Sequence, residues 1–157
     1  MRAPLLALAA LACLPALWGR FLFDDIVTVL THPQLGFADV LKHLSPTGRP
    51  LYWLTLAVDH ALWGLNPFGF HLSNLLLHLA NVVLLERLAR RLWPSGSPLP
   101  RVAALLFALH PLAGSAVCYV SERSQLLVAL STLLYLQTLL DGRIGWAWAA
   151  WGLGLAS

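Results

Sequence analysis

His60-Ala61-Leu62-Trp63-Gly64-Leu65-Asn66-Pro67-Phe68-Gly69-Phe70-His71-Leu72-Ser73-Asn74-Leu75-Leu76-Leu77-His78-Leu79-Ala80-Asn81-Val82-Val83-Leu84-Leu85 runs without a formal charge and ends abruptly in Glu86-Arg87-Leu88-Ala89-Arg90-Arg91. A transmembrane helix needs about 20 predominantly apolar residues, and this stretch supplies them with a cationic stop at one end. The pattern recurs on both sides. Positions 3 to 19 carry no charge between Arg2 and Arg20, with Phe21, Leu22 and Phe23 extending the apolar run; no small-x-small cleavage site follows, so a retained helix is expected rather than a signal peptide. Further runs cover Val102 to Ser121 and Ser124 to Leu140, and another starts at Ile144 and stops inside an apolar stretch at Ser157. The expected fold is therefore all-α: a multi-pass transmembrane helical bundle of about five spans, the last truncated. Residues 1–157 read as a single transmembrane domain, the front portion of something longer.

Composition agrees. Of 157 residues, 59% are hydrophobic and 11% charged, against roughly 25% charged in a soluble domain. A mean hydropathy of +0.72 excludes a disordered tail or a disulfide-stapled secreted domain. The net charge of +3 does not call for nucleic acid, because the basic residues gather at membrane boundaries. Arg2, Arg87, Arg90, Arg91, Arg101 and Arg143 fall on one side of the spans, and Arg20, Lys42, Arg49 and Arg123 on the other. The first side is expected to be cytoplasmic, with the amino terminus inside, in a bacterial inner membrane or the endoplasmic reticulum. Most acids, namely Asp24, Asp25, Asp39, Asp59 and Glu122, then lie outside, and so does any chemistry. Cys13 and Cys118 have neither the number nor the spacing of a disulfide framework or metal site and read as packing residues.

The first outer loop, residues 21–69, is too long for a tight connection and is punctuated by His32-Pro33, Ser45-Pro46-Thr47-Gly48, Arg49-Pro50 and Asn66-Pro67. Within it Pro50 to Gly64 reads as an amphipathic helix on the membrane surface. Leu51, Leu54, Val58 and Leu62 repeat at helical spacing, Trp53 and Trp63 suit the interface, and Asp59 and His60 are expected to stay wet.

Several polar residues need a reason. His71, Asn74, His78 and Asn81 recur at spacings that line one helix face, and in hydrocarbon each requires a partner. Interhelical hydrogen bonding is the plain reading; the functional one is that His71 and Asn74, at the outer end, border a site. His71 and His78 are two turns apart, roughly 10 Å along the axis, too far to share a metal ion. Asp24 and Asp25 sit where the first span leaves the membrane. Two consecutive carboxylates at such a place repel one another, and the pair is either a candidate general base or an ordinary solvated loop. His110-Pro111 breaks the third span near its outer end, and Glu122-Arg123 opens the fourth, as an interfacial charge pair or as an arginine aimed at an anionic substrate group. Glu86 and Arg90 are an i,i+4 helix pair. No Gly-rich phosphate loop, Asp-x-Asp, Gly-x-Ser-x-Gly, His-Glu-x-x-His or Cys-x-x-Cys occurs, which disfavours a nucleotide-dependent enzyme.

The ordered set Phe23-Asp24-Asp25, Arg49-Pro50-Leu51, Asn66-Pro67-Phe68-Gly69-Phe70-His71-Leu72-Ser73-Asn74-Leu75-Leu76-Leu77-His78, His110-Pro111 and Val120-Ser121-Glu122-Arg123 resembles the amino-terminal part of the transmembrane, tetratricopeptide-repeat O-mannosyltransferase-like proteins and their bacterial relatives, within the GT-C glycosyltransferase superfamily. The resemblance implies a membrane glycosyltransferase that moves a sugar from a polyprenyl- or dolichyl-phosphate carrier to a protein or glycan acceptor on the outer or lumenal face. It needs no cofactor or metal beyond that lipid-linked donor. It implies Asp24 and Asp25 as the catalytic acidic motif and Arg49, His71, Asn74, His110, Glu122 and Arg123 as substrate-binding positions on the same face. Where the family often continues His-Pro with His or Gln and then Glu two residues later, this chain has Ala113 and Ser115. A non-catalytic scaffold or remnant, or less favourably a transporter subunit, is the alternative.

Overall fold

The computed structural model describes residues 3–31 and 48–157. The turn signals His32-Pro33 and Ser45-Pro46-Thr47, together with Arg2, Asp39 and Lys42, lie outside them. The described residues are all-helical. Helix α1 covers Ala3–Cys13 and tightens into a 3-10 turn, Leu14–Trp18, at Pro15, which has no N–H to continue the ladder. A π-helical turn, Ile26–Leu30, follows; then come α2, Pro50–Trp63; α3, Pro67–Leu92; α4, Leu99–Leu109; α5, Pro111–Cys118; α6, Arg123–Leu140; and α7, Ile144–Leu155.

α3 is the axis of the bundle. It starts later than the uncharged run that it overlaps, because Gly64 turns the chain with φ of +61° and Asn66 caps the new helix by accepting the Phe68 N–H at 3.1 Å. Pro67 then occupies the first turn, where its missing N–H costs nothing. The span expected from His60 is thus Pro67–Leu92, and it runs on through the cationic segment. Three apolar clusters stack along it: Phe21, Tyr52, Leu56, Val120 and Leu127 around Phe70; Cys13, Leu17 and Val117 around Leu75; and Ala9, Ala104 and Ala108 around Val82. This order sets α1 antiparallel to α3, with Phe21 edge-on to Phe70 at 5.4 Å between ring centroids.

The expected third span is two helices, α4 and α5, bent by 48° at His110-Pro111. By length and composition α3 can cross a membrane, and the bent pair makes a second crossing if counted as one span; Ala3–Trp18 is apolar but shorter. α6 and α7 form a hairpin through Gly142, whose φ is +70°. The Leu51 N–H donates to Ala156 O at 2.8 Å, returning the end of α7 to the start of α2. At the opposite end Arg90 pairs with Glu86, as the i,i+4 spacing predicts, and Arg91 with Asp141 at 2.7 Å.

Two expectations are corrected. On α2 the stripe Leu54, Val58 and Leu62 is exposed, but the opposite face of Tyr52, Leu56 and Asp59 is buried in protein. Asp59, expected to stay wet, is 3% exposed. Cys13 is buried, whereas Cys118, read as a packing residue, is exposed.

Candidate functional site

The outer three residues of α3's polar stripe, His71, Asn74 and His78, meet carbonyls at breaks in the neighbouring helices. Leu112 N–H, which would serve Ala108 O in a straight helix, donates instead to His110 Nδ1 at 3.2 Å, and His78 Nε2 lies 3.2 Å from the carbonyl thereby released. Tyr119 leaves the helical conformation at the end of α5, which frees further carbonyls. Asn74 Nδ2 donates to Ala116 O at 3.2 Å and Tyr119 O at 3.1 Å, and His71 Nδ1 faces Val117 O at 3.4 Å. Asn81 Nδ2 donates to Leu126 O on α6 at 3.0 Å. All four stripe residues are buried. The plain reading of interhelical hydrogen bonding is what the packing displays, and backbone carbonyls that water cannot reach are its cause.

The donors released at the same break are also captured. Ser121 N–H would have bonded Val117 O; it donates to Asp25 Oδ1 at 2.7 Å, so the fully buried Asp25 pins the start of the π-helical turn to the segment just before α6. Two residues on, Arg123 is also fully buried. Its Nε donates to Asn74 Oδ1 at 2.7 Å and its Nη2 to Phe70 O at 2.9 Å, and Nη2 pairs with Asp59 Oδ2 at 2.6 Å. Ser73 Oγ holds the other Asp59 oxygen at 2.6 Å, and the Phe70 ring lies 6.0 Å from the guanidinium carbon. Arg123 therefore does not form the charge pair with Glu122 that adjacency offers; Glu122 accepts from Gln125 Nε2 instead.

Above this buried layer is a cleft of about 680 Å³. Asp24, Val27 and Thr28 form one wall, Gly48, Arg49, Tyr52 and Trp53 a second, and Ser121, Glu122, Ser124 and Gln125 the third. Arg49 Nη1 reaches Ser124 Oγ at 3.5 Å across it. Burial pushes the Tyr52 phenol above its ordinary value against a hydrogen bond with Thr28 and the charges of Arg123 and Arg49, so it keeps its proton at neutral pH.

Of the residues singled out in the sequence, Asp24, Arg49 and Glu122 share this cleft. Asp25, His71, Asn74 and Arg123 lie beneath it as supports, and His110 stands apart at the α5 cap, exposed, beside a smaller hollow with Phe107 and Gln125. Among the described residues no group of three or more His, Cys, Asp or Glu is placed to hold a metal ion. Sequence reasoning missed Asp59 and Tyr52. Their shared face with Leu56 was visible as a second helical spacing on α2, but an apolar stripe on the other side drew the assignment.

No protein-family model and no solved structure matches the chain. Curated proteins do. The human protein O-mannosyl-transferase TMTC1 is 32% identical over 91% of this chain and 19% of its own length. The mouse TMTC2 protein is 35% identical over 76% of the chain and 13% of its own length, and Drosophila melanogaster Tmtc3 is 38% identical over 54% of the chain and 11% of its own. The chain thus spans about a fifth or less of the length of the relatives it matches. Likeness at this level over most of its residues makes the chain a homologue of the TMTC protein O-mannosyl-transferases across the segment they share.

Proposed function

We propose that this chain is the amino-terminal, outer-face part of a GT-C membrane O-mannosyltransferase that uses a polyprenyl- or dolichyl-phosphate sugar as donor. In this reading the protein is multi-pass, with its amino terminus in the cytoplasm and the cleft on the outer or lumenal side. The observation that carries it is the meeting of Asp24 and Arg49 in one hollow at the end of the bundle opposite the basic cluster Arg90 and Arg91. That hollow offers a carboxylate and a permanent cation, which are the two charges sugar transfer from a phosphate carrier requires.

As the acceptor hydroxyl attacks the anomeric carbon, its proton passes to Asp24. The bond from that carbon to the phosphate oxygen breaks, and the phosphate leaves on its lipid with its negative charge against Arg49. Glu122 and Gln125 line the remaining wall toward the sugar or acceptor hydroxyls. Asp25 holds the rim through Ser121, and Arg123 acts from behind as a positioning residue.

The test is donor dependence in the full-length protein: transfer of mannose to a protein acceptor from polyprenyl-phosphate mannose, compared with a nucleotide-linked mannose. Transfer from the lipid donor alone is expected. Transfer from the nucleotide donor would contradict the reading, and transfer from neither would favour the non-catalytic membrane module to which Ala113 and Ser115, standing where the family often carries His or Gln and then Glu, also point.

A further inference from the structure

The cleft is not the only hollow in which a charged side chain takes part. On the other flank of α2 lies a groove of about 430 Å³ with aliphatic walls, among them Leu54, Val58, Leu76 and Ala80, and with the Asp59–Arg123 pair at its floor. Leu54 and Val58 are each 39% exposed and Leu76 57%, so the mouth opens sideways, at the level where α2 lies over the end of the apolar α3. Arg123 spends Nε on Asn74 and Nη2 on Phe70 O and Asp59, but Nη1 is buried with no hydrogen-bond partner among the described residues. Aliphatic walls together with a lining side chain that keeps one buried, unused N–H donor suit a chain that carries one acceptor oxygen.

Charge decides what that oxygen belongs to. The floor is already a neutralised ion pair. A phosphate or a carboxylate would place a second anion beside Asp59 in an apolar enclosure, where like charges repel with little screening. A carbonyl accepts from Nη1 and brings no charge. Ester carbonyls of bilayer phospholipids sit at the boundary between headgroup and hydrocarbon, which is the depth that an interfacial α2 and the outer start of α6 assign to Arg123. We propose that this groove seats one acyl chain of a bilayer phospholipid, with its ester carbonyl accepting from Arg123 Nη1. The site is separate from the cleft; it rests on the membrane reading above and not on the transfer chemistry.

The test uses full-length protein in nanodiscs containing a phosphatidylcholine with a photoreactive diazirine on its acyl chain, and residue-level mapping of the label. The groove positions Leu54, Val58, Leu76 and Ala80 are expected to label more strongly than the exposed α4 face at Val102 and Leu106. The ether-linked analogue, with the same chains but no carbonyl, is expected to label the groove less. Excess unlabelled phosphatidylcholine should compete in the unaltered protein, and Ala80→Leu or Val58→Phe, which narrow the groove, should remove the preference. Equal labelling of groove and α4 face, ester and ether analogues that label alike, or preferential labelling by a polyprenyl-phosphate probe would each overturn the assignment. A protein that transfers no sugar yet keeps the labelling pattern would refute the enzymatic reading and leave the groove standing.

Discussion

At the scale of single residues, Arg123 shows how a side chain can be central to a site without entering it. Its guanidinium is held by Asp59, Asn74 and the Phe70 carbonyl, beneath the cleft. Removing one member of a buried ion pair strands the other, at about 3–5 kcal/mol, whereas replacing both with apolar groups of similar size is far milder. Asp59→Asn is therefore expected to lower the thermal unfolding midpoint of the purified protein markedly, and Asp59→Leu with Arg123→Met to recover most of the loss. A midpoint unmoved by Asp59→Asn would mean the pair is solvated. Arg49 behaves oppositely. It is exposed and lines the cleft, so Arg49→Ala should leave stability unchanged while weakening binding of polyprenyl phosphate, measured by equilibrium binding in detergent; unaltered affinity would remove Arg49 from the phosphate site.

At the scale of elements, breaks do most of the arranging. Pro15, Gly64-Leu65-Asn66-Pro67 and His110-Pro111 each end a helix, and groups freed at His110-Pro111 and after Cys118 are taken up by His78 and Asn74 of α3 and by Asp25. Whereas the tightening at Pro15 lay inside an apolar run that reads as one continuous helix, the breaks at Asn66-Pro67 and His110-Pro111 were legible from their prolines, as was the stripe from its period. The partners were not, because which carbonyl His71 or Asn74 serves depends on how α5 is bent against α3, and nothing local to either helix encodes that. The burial of Asp59 was hidden for the same reason: α2 has two faces with helical spacing, and only packing tells which one meets protein. The corner between α2 and α3 gives a sharp test. A Cβ at Gly69 would lie 2.1 Å from Trp63 Cγ, so Gly69→Ala should destabilise by about 1–3 kcal/mol through overpacking. In Trp63→Ala the same change should be nearly neutral, and thermal melts of the four proteins form the cycle that decides it. Equal losses in both backgrounds would place the strain elsewhere.

At the scale of the whole molecule, the charges, the capped helix starts and the cleft fall at consistent ends of one helical bundle. The end with Glu86, Arg90, Arg91 and Asp141 carries the basic cluster, and the other carries Asp24, Arg49 and Glu122. In a membrane the first end is expected inside. Single cysteines at Ser97 and Leu65 in a background without Cys13 and Cys118 test this with an impermeant thiol reagent applied to intact cells: Leu65→Cys should react and Ser97→Cys should not, and the reverse would invert the topology. The overall reading, however, turns on one carboxylate. General-base assistance contributes about 10²- to 10⁴-fold in rate. The deciding measurement is therefore steady-state mannose transfer from polyprenyl-phosphate mannose by the full-length protein carrying Asp24→Asn. A fall in kcat of that order with donor affinity retained is predicted, and turnover close to that of the unaltered protein would contradict the assignment of Asp24 as the base.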